Sequence, residues 1–294
     1  MRRSRPSWMV PDQFHQQWTV MTSDTKLTLK RTVTEGDPTQ AADFLALHTG
    51  LSKARIKDAM AKGAVWLQRK GRGRDRLRRA TAAIKPGDGI EIFYDQAILS
   101  MDIPKAICVK DFRYYSIWRK PAGLLTQGTD YGDHCSLLRC VQTYFDPRRD
   151  AYPVHRLDRE AEGLVVVAHT SDAAAGLSRI FQGHEVKKVY RAEVLGIMEA
   201  GHGQIDLPLD GKQAFTSYTL LCADMENRTS ALQVEIKTGR LHQIRRHLAA
   251  IGHPVMGDPR YGKGNKDGRP LRLTACAIEF ICPLTQAKVV CSID

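Results

Sequence analysis

A carboxylate at the start of a buried strand is the feature of this sequence most suited to chemistry. Asp158 follows His155-Arg-Leu and precedes Gly163 and a run of five apolar residues, whose length and β-branched content predict a buried strand. A turn that leads into such a strand holds a carboxylate rigidly and partly shields it from water. Taken alone, Asp158 would more often be a turn residue that caps the turn or pairs with Arg156 or Arg159.

Composition indicates an ordinary globular protein with a strong basic excess. The 294 residues are 43% hydrophobic and 26% charged, and this length allows two domains or one large domain with an appendage. Lysine and arginine total 44 against 32 acidic residues, which gives a net charge of +12. Such an excess favours a polyanionic partner, most often nucleic acid. A protein that is merely basic is the alternative.

Neither a membrane span nor a disulfide framework is predicted. No apolar run approaches the roughly 18–20 residues of a membrane helix, and the basic N-terminus lacks the apolar core of a signal peptide. The seven cysteines are scattered, odd in number and without a Cys-x-x-Cys pair, so we predict no disulfides and no zinc site. We therefore expect a cytoplasmic protein with reduced thiols and no membrane contact.

The first third of the chain predicts a small α/β unit behind a tail. Residues 1–24 are expected to form a flexible tail. Residues 25–97 then predict a compact domain, with strands at 25–33, 63–67 and 84–93, helices at 40–50 and after Ser52, and an Arg-rich loop at 69–79.

This unit resembles the small RNA-binding domain first described in ribosomal small-subunit protein four. The likeness rests on the second helix, which carries Ser52, Lys53, Arg55 and Ile56 in the family's pattern. It implies that Lys53 and Arg55 contact RNA phosphates, and that the neighbouring Arg-rich loop does so as well. The family's usual Val-Asn-Gly turn after the central strand is missing, and the Arg-rich insertion takes its place.

A helix predicted from Arg240 to Ile251 carries a buried cation. At about 100° per residue, Leu241, Ile244, Leu248 and Ile251 form one apolar stripe, with Arg245 at its edge and Arg246 turned toward solvent or a ligand. A guanidinium on a buried face needs an acidic partner, because an unpaired buried charge costs several kcal/mol. Asp158 is the partner we favour, while Asp206, Asp258 and Glu235 are alternatives.

Several separated motifs resemble the RluA family of RNA pseudouridine synthases. They are His155-Arg-Leu-Asp158 with Gly163-Leu164, Lys188-Val-Tyr190-Arg-Ala192, Thr238-Gly-Arg-Leu-His-Gln-Ile-Arg245, and Gly252-His-Pro-Val-Met-Gly-Asp-Pro-Arg-Tyr261. The resemblance covers about residues 105–294. It implies an α+β fold, in which a mixed, largely antiparallel sheet flanked by helices forms the catalytic domain.

The resemblance also implies an activity and its residues. The enzyme would break the N-glycosidic bond of a uridine in structured RNA and rejoin the base through carbon five, without a cofactor or metal. Ribosomal RNA is favoured as the substrate, and transfer RNA is the alternative. Asp158 would be the essential carboxylate, Tyr190 would stack near the base and could take a proton, and Arg245 would keep Asp158 ionised. RNA contacts are implied for His155, Arg156, Arg240, His242 and Arg246, with Arg156 helping to hold the target nucleotide out of the stack. We expect a monomer.

Two positions depart from the family pattern. Ala161-Glu162 stands where members usually have Thr-Ser, which removes two hydroxyls and adds a negative charge close to Asp158, and Thr274 stands where they often have His. This departure motivates an alternative, a catalytically impaired RNA-binding or ribosome-assembly factor on the same fold. A hydrolase that uses His155 and Asp158 is a weaker alternative, because no Ser or Cys nucleophile motif is present.

Overall fold

The computed structural model describes residues 18–23, 25–199 and 201–294, so most of the expected tail, residues 1–17 and 24, lies outside the described residues. The chain divides into two compact units. One contains the residues up to Met101 together with Thr129–Gly132, and the other contains Asp102–Gly128 and Asp133–Asp294. No helix in the described part of the chain is both long enough and apolar enough to cross a membrane.

The N-terminal unit is a five-stranded antiparallel sheet with helices packed on it. The sheet order is β1-β2-β5-β3-β4. The elements are β1 (Trp18–Ser23), β2 (Lys26–Thr32), α1 (Ala41–Thr49), α2 (Lys53–Ala61), β3 (Val65–Gln68), β4 (Arg74–Arg76), β5 (Gly89–Asp95) and α3 (Gln96–Leu99). Because β1 pairs with β2, the expected tail is wrong for residues 18–23.

Capping and burial explain helix α2 of this unit. In α2 the Ser52 hydroxyl accepts a hydrogen bond from the Arg55 N–H at 3.4 Å, as the sequence predicts for an N-cap. The helix buries Ile56, Ala59 and Met60 in the unit's core, whereas Lys53 and Arg55 remain exposed.

The Arg-rich loop is partly ordered by its own charges. Within it, the short strand β4 pairs with β3, and the guanidinium carbons of Arg74 and Arg76 lie 4.3 and 4.1 Å from the ring centre of Trp66. Arg74 also forms an ion pair with Glu91 at 2.8 Å. Part of the expected phosphate-binding charge is thus already engaged within the protein.

The larger unit confirms the predicted mixed, largely antiparallel sheet. The strand order is β11-β12-β13-β10-β14-β9-β7-β6, with β15 on β14 and β8 on β9, and the only parallel pairing among the described strands joins β9 to β14. The strands are β6 (Ile107–Asp111), β7 (Tyr115–Lys120), β8 (Tyr152–Pro153), β9 (Glu162–Ala168), β10 (Lys187–Leu195), β11 (His202–Asp206), β12 (Phe215–Asp224), β13 (Thr229–Ile236), β14 (Leu273–Ile281) and β15 (Lys288–Ser292). The helices are α4 (Leu137–Tyr144), α5 (Ser171–Gln182) and α6 (Gln243–Ala250).

The two faces of this sheet bury different clusters. Along β9, Val165 and Val167 join one core with Tyr190, while Leu164 and Val166 join another that α5 covers. Successive side chains of a strand point to opposite faces, so a strand buried on both sides reads as the continuous apolar run seen in the sequence.

The parallel junction of β9 and β14 is short and tight. It consists of two residue pairs, Thr274 with Glu162 and Ala275 with Gly163. Gly163 has φ +122°, and a Cβ placed on it would lie 2.4 Å from the carbonyl oxygen of Ala275. A side chain at this position would therefore push β9 and β14 apart at the start of β9.

We predict that Gly163→Ala lowers the free energy of unfolding by about 3 kcal/mol or more, because it adds both a backbone clash and an unfavourable φ. The midpoint of urea unfolding would measure the loss. Gly201→Ala is the control, since nothing lies within 4 Å of its Cβ position. Equal midpoints for the two variants would contradict the tight junction.

Candidate active site

A pocket of about 250 Å³ in the larger unit brings together residues that are far apart in the sequence. Its walls come from the turn before β9, from β10 and β14, and from the segment that leads into α6. Six of the predicted site residues line it: Arg156, Asp158, Tyr190, Arg240, His242 and Arg245.

Arg245 is fully buried and connects two aspartates. Its Nε and Nη2 donate to Asp258 Oδ2 and Oδ1 at 2.7 and 2.8 Å, and its Nη1 donates to Asp158 Oδ2 at 3.1 Å. The same Nη1 donates to Glu160 Oε2 at 3.3 Å. The sequence proposed one partner among alternatives, whereas the structure uses both Asp158 and Asp258 because a guanidinium has five N–H donors to satisfy.

These contacts hold the charges of the buried pair in place. Hydrogen bonds and charge from Asp258, and then from Asp158, raise the pKa of Arg245 despite its burial. The pKa of Asp258 is lowered although burial opposes this, since Arg245 and the N–H groups of Arg260 and Tyr261 all donate to it. The buried Asp258–Arg245 pair thus forms a fixed support that positions Asp158.

His242 approaches Asp158 from the other side. Its Nε2 lies 3.8 Å from Asp158 Oδ1, and its Nδ1 lies 3.0 Å from the hydroxyl of Tyr261. Burial lowers the pKa of His242, so the neutral ring is favoured. The tautomer that suits both neighbours has Tyr261 donating to Nδ1 and the Nε2 hydrogen facing Asp158.

Polar side chains bind the backbone of the turn that carries Asp158. Lys120 is fully buried, and its Nζ donates to the carbonyls of Leu124 and Ala161 at 2.8 and 2.7 Å. Burial lowers the pKa of Lys120 to about 8, against the opposing charge of the nearby acidic residues. The hydroxyl of Thr126 donates to the Leu157 carbonyl at 2.8 Å and accepts the Leu157 N–H at 3.1 Å.

Tyr190 lies on β10 with its side chain in the core beside the pocket. Burial and the charge of Asp158 raise the pKa of its phenol above the usual range. The neutral phenol is therefore strongly favoured, which suits contact with a base better than the removal of a proton.

Some predicted RNA-contact residues lie elsewhere. His155 does not line the pocket: its ring stacks on Phe181 with the centroids 4.2 Å apart, and its Nε2 accepts the Val166 N–H at 3.0 Å. Arg246 is paired with Asp210 at 2.9 Å on the surface. Lys53 and Arg55 belong to the N-terminal unit, where Lys53 pairs with Asp43 at 2.7 Å.

The two departures from the family pattern contact each other. Glu162 Oε1 accepts a hydrogen bond from Thr274 Oγ1 at 3.1 Å and lies 3.6 Å from Arg119. Glu162 is absent from the pocket wall, while the neighbouring Ala161 lines it and is buried. The added negative charge is thus engaged across the β9–β14 junction rather than turned toward the pocket.

Sequence reasoning missed part of the site. Lys120, the last residue of β7, was assigned no role, and no local pattern marks it as a buried cation. Asp258 was only one of three alternative partners for Arg245, and Tyr261 stood in a family motif without an assigned role. Within residues 18–23, 25–199 and 201–294, no group of three or more His, Cys, Asp or Glu side chains is arranged to hold a metal ion.

Comparison with known proteins points to one family. The family model described as RNA pseudouridylate synthase matches residues 114–250. The tRNA pseudouridine synthase C of Haemophilus ducreyi is 33% identical over 207 residues, covering 59% of this chain and 84% of that protein. The ribosomal large subunit pseudouridine synthase D of Vibrio cholerae is 29% identical over 260 residues, covering 81% of this chain and 78% of that protein.

The fold is shared with a solved structure, that of human RNA pseudouridylate synthase domain containing 1. The TM-score is 0.57 at 22% identity, over 66% of this chain and 85% of that chain. The family model and the relatives identify an isomerase that acts on RNA. The chain belongs to the RluA family of RNA pseudouridine synthases.

We predict that Asp258→Asn destabilises the larger unit by about 3–5 kcal/mol, because it leaves the buried Arg245 without its principal counter-charge. Urea unfolding followed by tryptophan fluorescence would measure this. The matched control is Asp210→Asn, which removes the exposed partner of Arg246 and should leave the midpoint unchanged. A midpoint for Asp258→Asn close to that of the control would show that Arg245 does not depend on Asp258.

His155, which is partly buried, predicts a pH dependence of stability. Burial, and then the charge of Lys188, lower the pKa of His155 to about 3. Because the unfolded state binds a proton near the ordinary pKa of 6.5 and the folded state does not, stability is full above that value and falls as the pH decreases toward 3. The slope from this group is at most about 1.4 kcal/mol per pH unit.

We therefore expect the free energy of unfolding to fall less steeply between about pH 7 and 5 in His155→Gln than in the wild type. Urea titrations at several pH values would give both slopes. Glutamine keeps an acceptor for the Val166 N–H, so the difference between the two slopes reports the protonation of His155 alone. Parallel slopes would mean that His155 does not remain neutral in the folded protein.

Proposed function

We propose that this RNA pseudouridine synthase isomerises a uridine of ribosomal RNA and that Asp158 is its essential carboxylate. The observation that carries the proposal is the contact of Asp158 Oδ2 with the buried Arg245 at 3.1 Å, inside a pocket open to solvent. A carboxylate that is held by a buried arginine and is still partly exposed is already in position before the substrate binds.

The reaction defines what these residues must do. The bond between N1 of the base and C1′ of the ribose breaks, the base turns, and a bond forms between C5 and C1′. The proton on C5 is released and N1 gains one, so the overall change is an isomerisation. In this reaction Asp158 attacks the nucleotide, with Arg245 bound to its Oδ2 and the ring of His242 facing its Oδ1 at 3.8 Å.

Tyr190 is proposed to support the base during its rotation. Its ring lies in the pocket wall and its raised pKa keeps the phenol neutral. A planar neutral ring offers a surface for the uracil in either orientation. Proton acceptance by this phenol is disfavoured by the same shift.

The basic residues around the pocket are proposed to bind the RNA backbone. Arg156 is exposed and forms no hydrogen bond or ion pair with any residue that the structure describes, so its guanidinium is available to a phosphate beside the flipped nucleotide. The Nε of Arg240 donates a hydrogen bond to the Gln213 carbonyl at 3.1 Å, which fixes the position of Arg240 at the rim of the pocket.

The N-terminal unit supports ribosomal rather than transfer RNA. The alignment with the Vibrio cholerae relative, whose name specifies the ribosomal large subunit, covers 81% of this chain. Residues 102–294 make up only about two thirds of the chain, so that alignment extends into this unit. A second RNA-binding unit, in which Lys53 and Arg55 contact phosphates, suits a large structured RNA.

We further propose that the enzyme works in the cytoplasm as a monomer. The support is compositional: seven free cysteines suit a reducing compartment.

The test uses RNA labelled with tritium at uridine carbon five, because product formation releases the label. We expect wild-type protein to release tritium from ribosomal RNA and not from transfer RNA. Asp158→Asn should release none from either while unfolding at the same urea concentration, and Tyr190→Phe should keep part of the activity because it keeps the ring. Asp224→Asn, an exposed aspartate on β12, is the control. Full activity in Asp158→Asn would overturn the assignment, and release from transfer RNA alone would overturn the choice of substrate.

A further inference from the structure

Leu241 is an exposed apolar side chain on the wall of a polar pocket. The sequence placed it on the buried stripe of a helix, but α6 begins only at Gln243, and His242 before it has φ +52°. The helix prediction is therefore wrong for residues 240–242. As a result Leu241 is 55% exposed and lines the same pocket as Asp158.

The backbone around Leu241 is held in this conformation by a buried glutamine. Gln243 Oε1 accepts hydrogen bonds from the Thr238 hydroxyl at 2.7 Å and from the Arg240 N–H at 3.1 Å. Its Nε2 donates to the Phe215 carbonyl at 2.9 Å and to the Thr216 hydroxyl at 3.0 Å. The segment before α6 is thus pinned to β12, and Leu241 is presented from a fixed support rather than from the tip of a loose loop.

The neighbours of Leu241 define what it can contact. It stands between Arg240 and His242 in sequence, and the exposed Arg156 lines the same pocket. An apolar group among cations fits a nucleic acid, whose phosphates contact the arginines while its base faces offer an apolar surface. A purely apolar protein partner would leave these arginines without counter-charges.

We propose that Leu241 is a wedge that enters the RNA base stack next to the target uridine. The inference rests on the proposed function. A uridine can reach Asp158 only after it leaves the stack, and the gap that it leaves favours its return. A leucine in that gap packs against the flanking bases and lowers the cost of keeping the uridine in the pocket. Leu241 therefore acts on extrusion of the nucleotide, and its effect is greatest where the uridine is well stacked.

The experiment compares two RNAs under single-turnover conditions. One is the ribosomal RNA fragment that supports tritium release, and the other is the same fragment with an abasic site opposite the target uridine, which weakens pairing and stacking in advance. We expect Leu241→Ala to slow the reaction at least about ten-fold on the first RNA and less than about three-fold on the second. Leu241→Met should behave as the wild type on both, because it keeps an apolar side chain of similar volume.

Leu221→Ala is the matched control. Leu221 belongs to the same unit and is 50% exposed, close to the 55% of Leu241, but it does not line the pocket. Fluorescence of a 2-aminopurine placed beside the target should rise on binding of wild-type protein and rise less with Leu241→Ala. Equal rates for Leu241→Ala and wild type on both RNAs would overturn the proposal. An equal loss on both RNAs would also overturn it, because Leu241 would then shape the pocket rather than replace a base.

Failure of the proposed function gives a different result. In that case wild-type protein releases no tritium from either RNA, whatever residue is at position 241. Since Leu241 is exposed, both of its variants should unfold at the wild-type urea concentration, and Leu241→Ser provides a second truncation should the alanine variant differ in stability.

Discussion

The position of the candidate catalyst depends on one buried cation. Arg245 is excluded from water, so its five N–H donors must be satisfied within the protein. Asp258 takes two hydrogen bonds and is itself fixed by backbone N–H groups, which leaves Nη1 for Asp158 and Glu160. Asp158 is thus held in place by the same interactions that make the buried arginine tolerable.

The turn that carries Asp158 is fixed from two sides by different means. Arg245 contacts its carboxylate, while Lys120 and Thr126 contact the backbone around it. If the carbonyl groups moved away from the Lys120 ammonium, its buried charge would lose its hydrogen-bond partners. The backbone of the turn therefore has little freedom. The β9–β14 junction adds a third constraint, because Gly163 allows the two backbones to approach closely. The resulting rigidity suits a residue that must be positioned before substrate binds.

Local patterns in the sequence predicted most of the fold. Alternation located β10, with Tyr190 and Ala192 on the buried face, and helical spacing located α5 and α6. Errors occurred where distant contacts overrode local preference. Leu241 fits an apolar stripe, but the hydrogen bonds of Gln243 to β12 begin the helix later, and β1 forms because β2 offers it an edge. No short window of sequence contains those partners.

The candidate site was predictable to the extent that burial imposes a chemical demand. An arginine on an apolar face requires a carboxylate, and this requirement pointed to Asp158 across 87 residues of sequence. It could not reveal that Asp258 takes the larger share, because several carboxylates satisfied the same demand. The RNA contact assigned to His155 stays a prediction: it was inferred from the neighbouring Asp158, and in the structure the His155 ring stacks on Phe181. Two residues that are neighbours in sequence need not share a role, whereas a buried charge requires a partner of opposite charge.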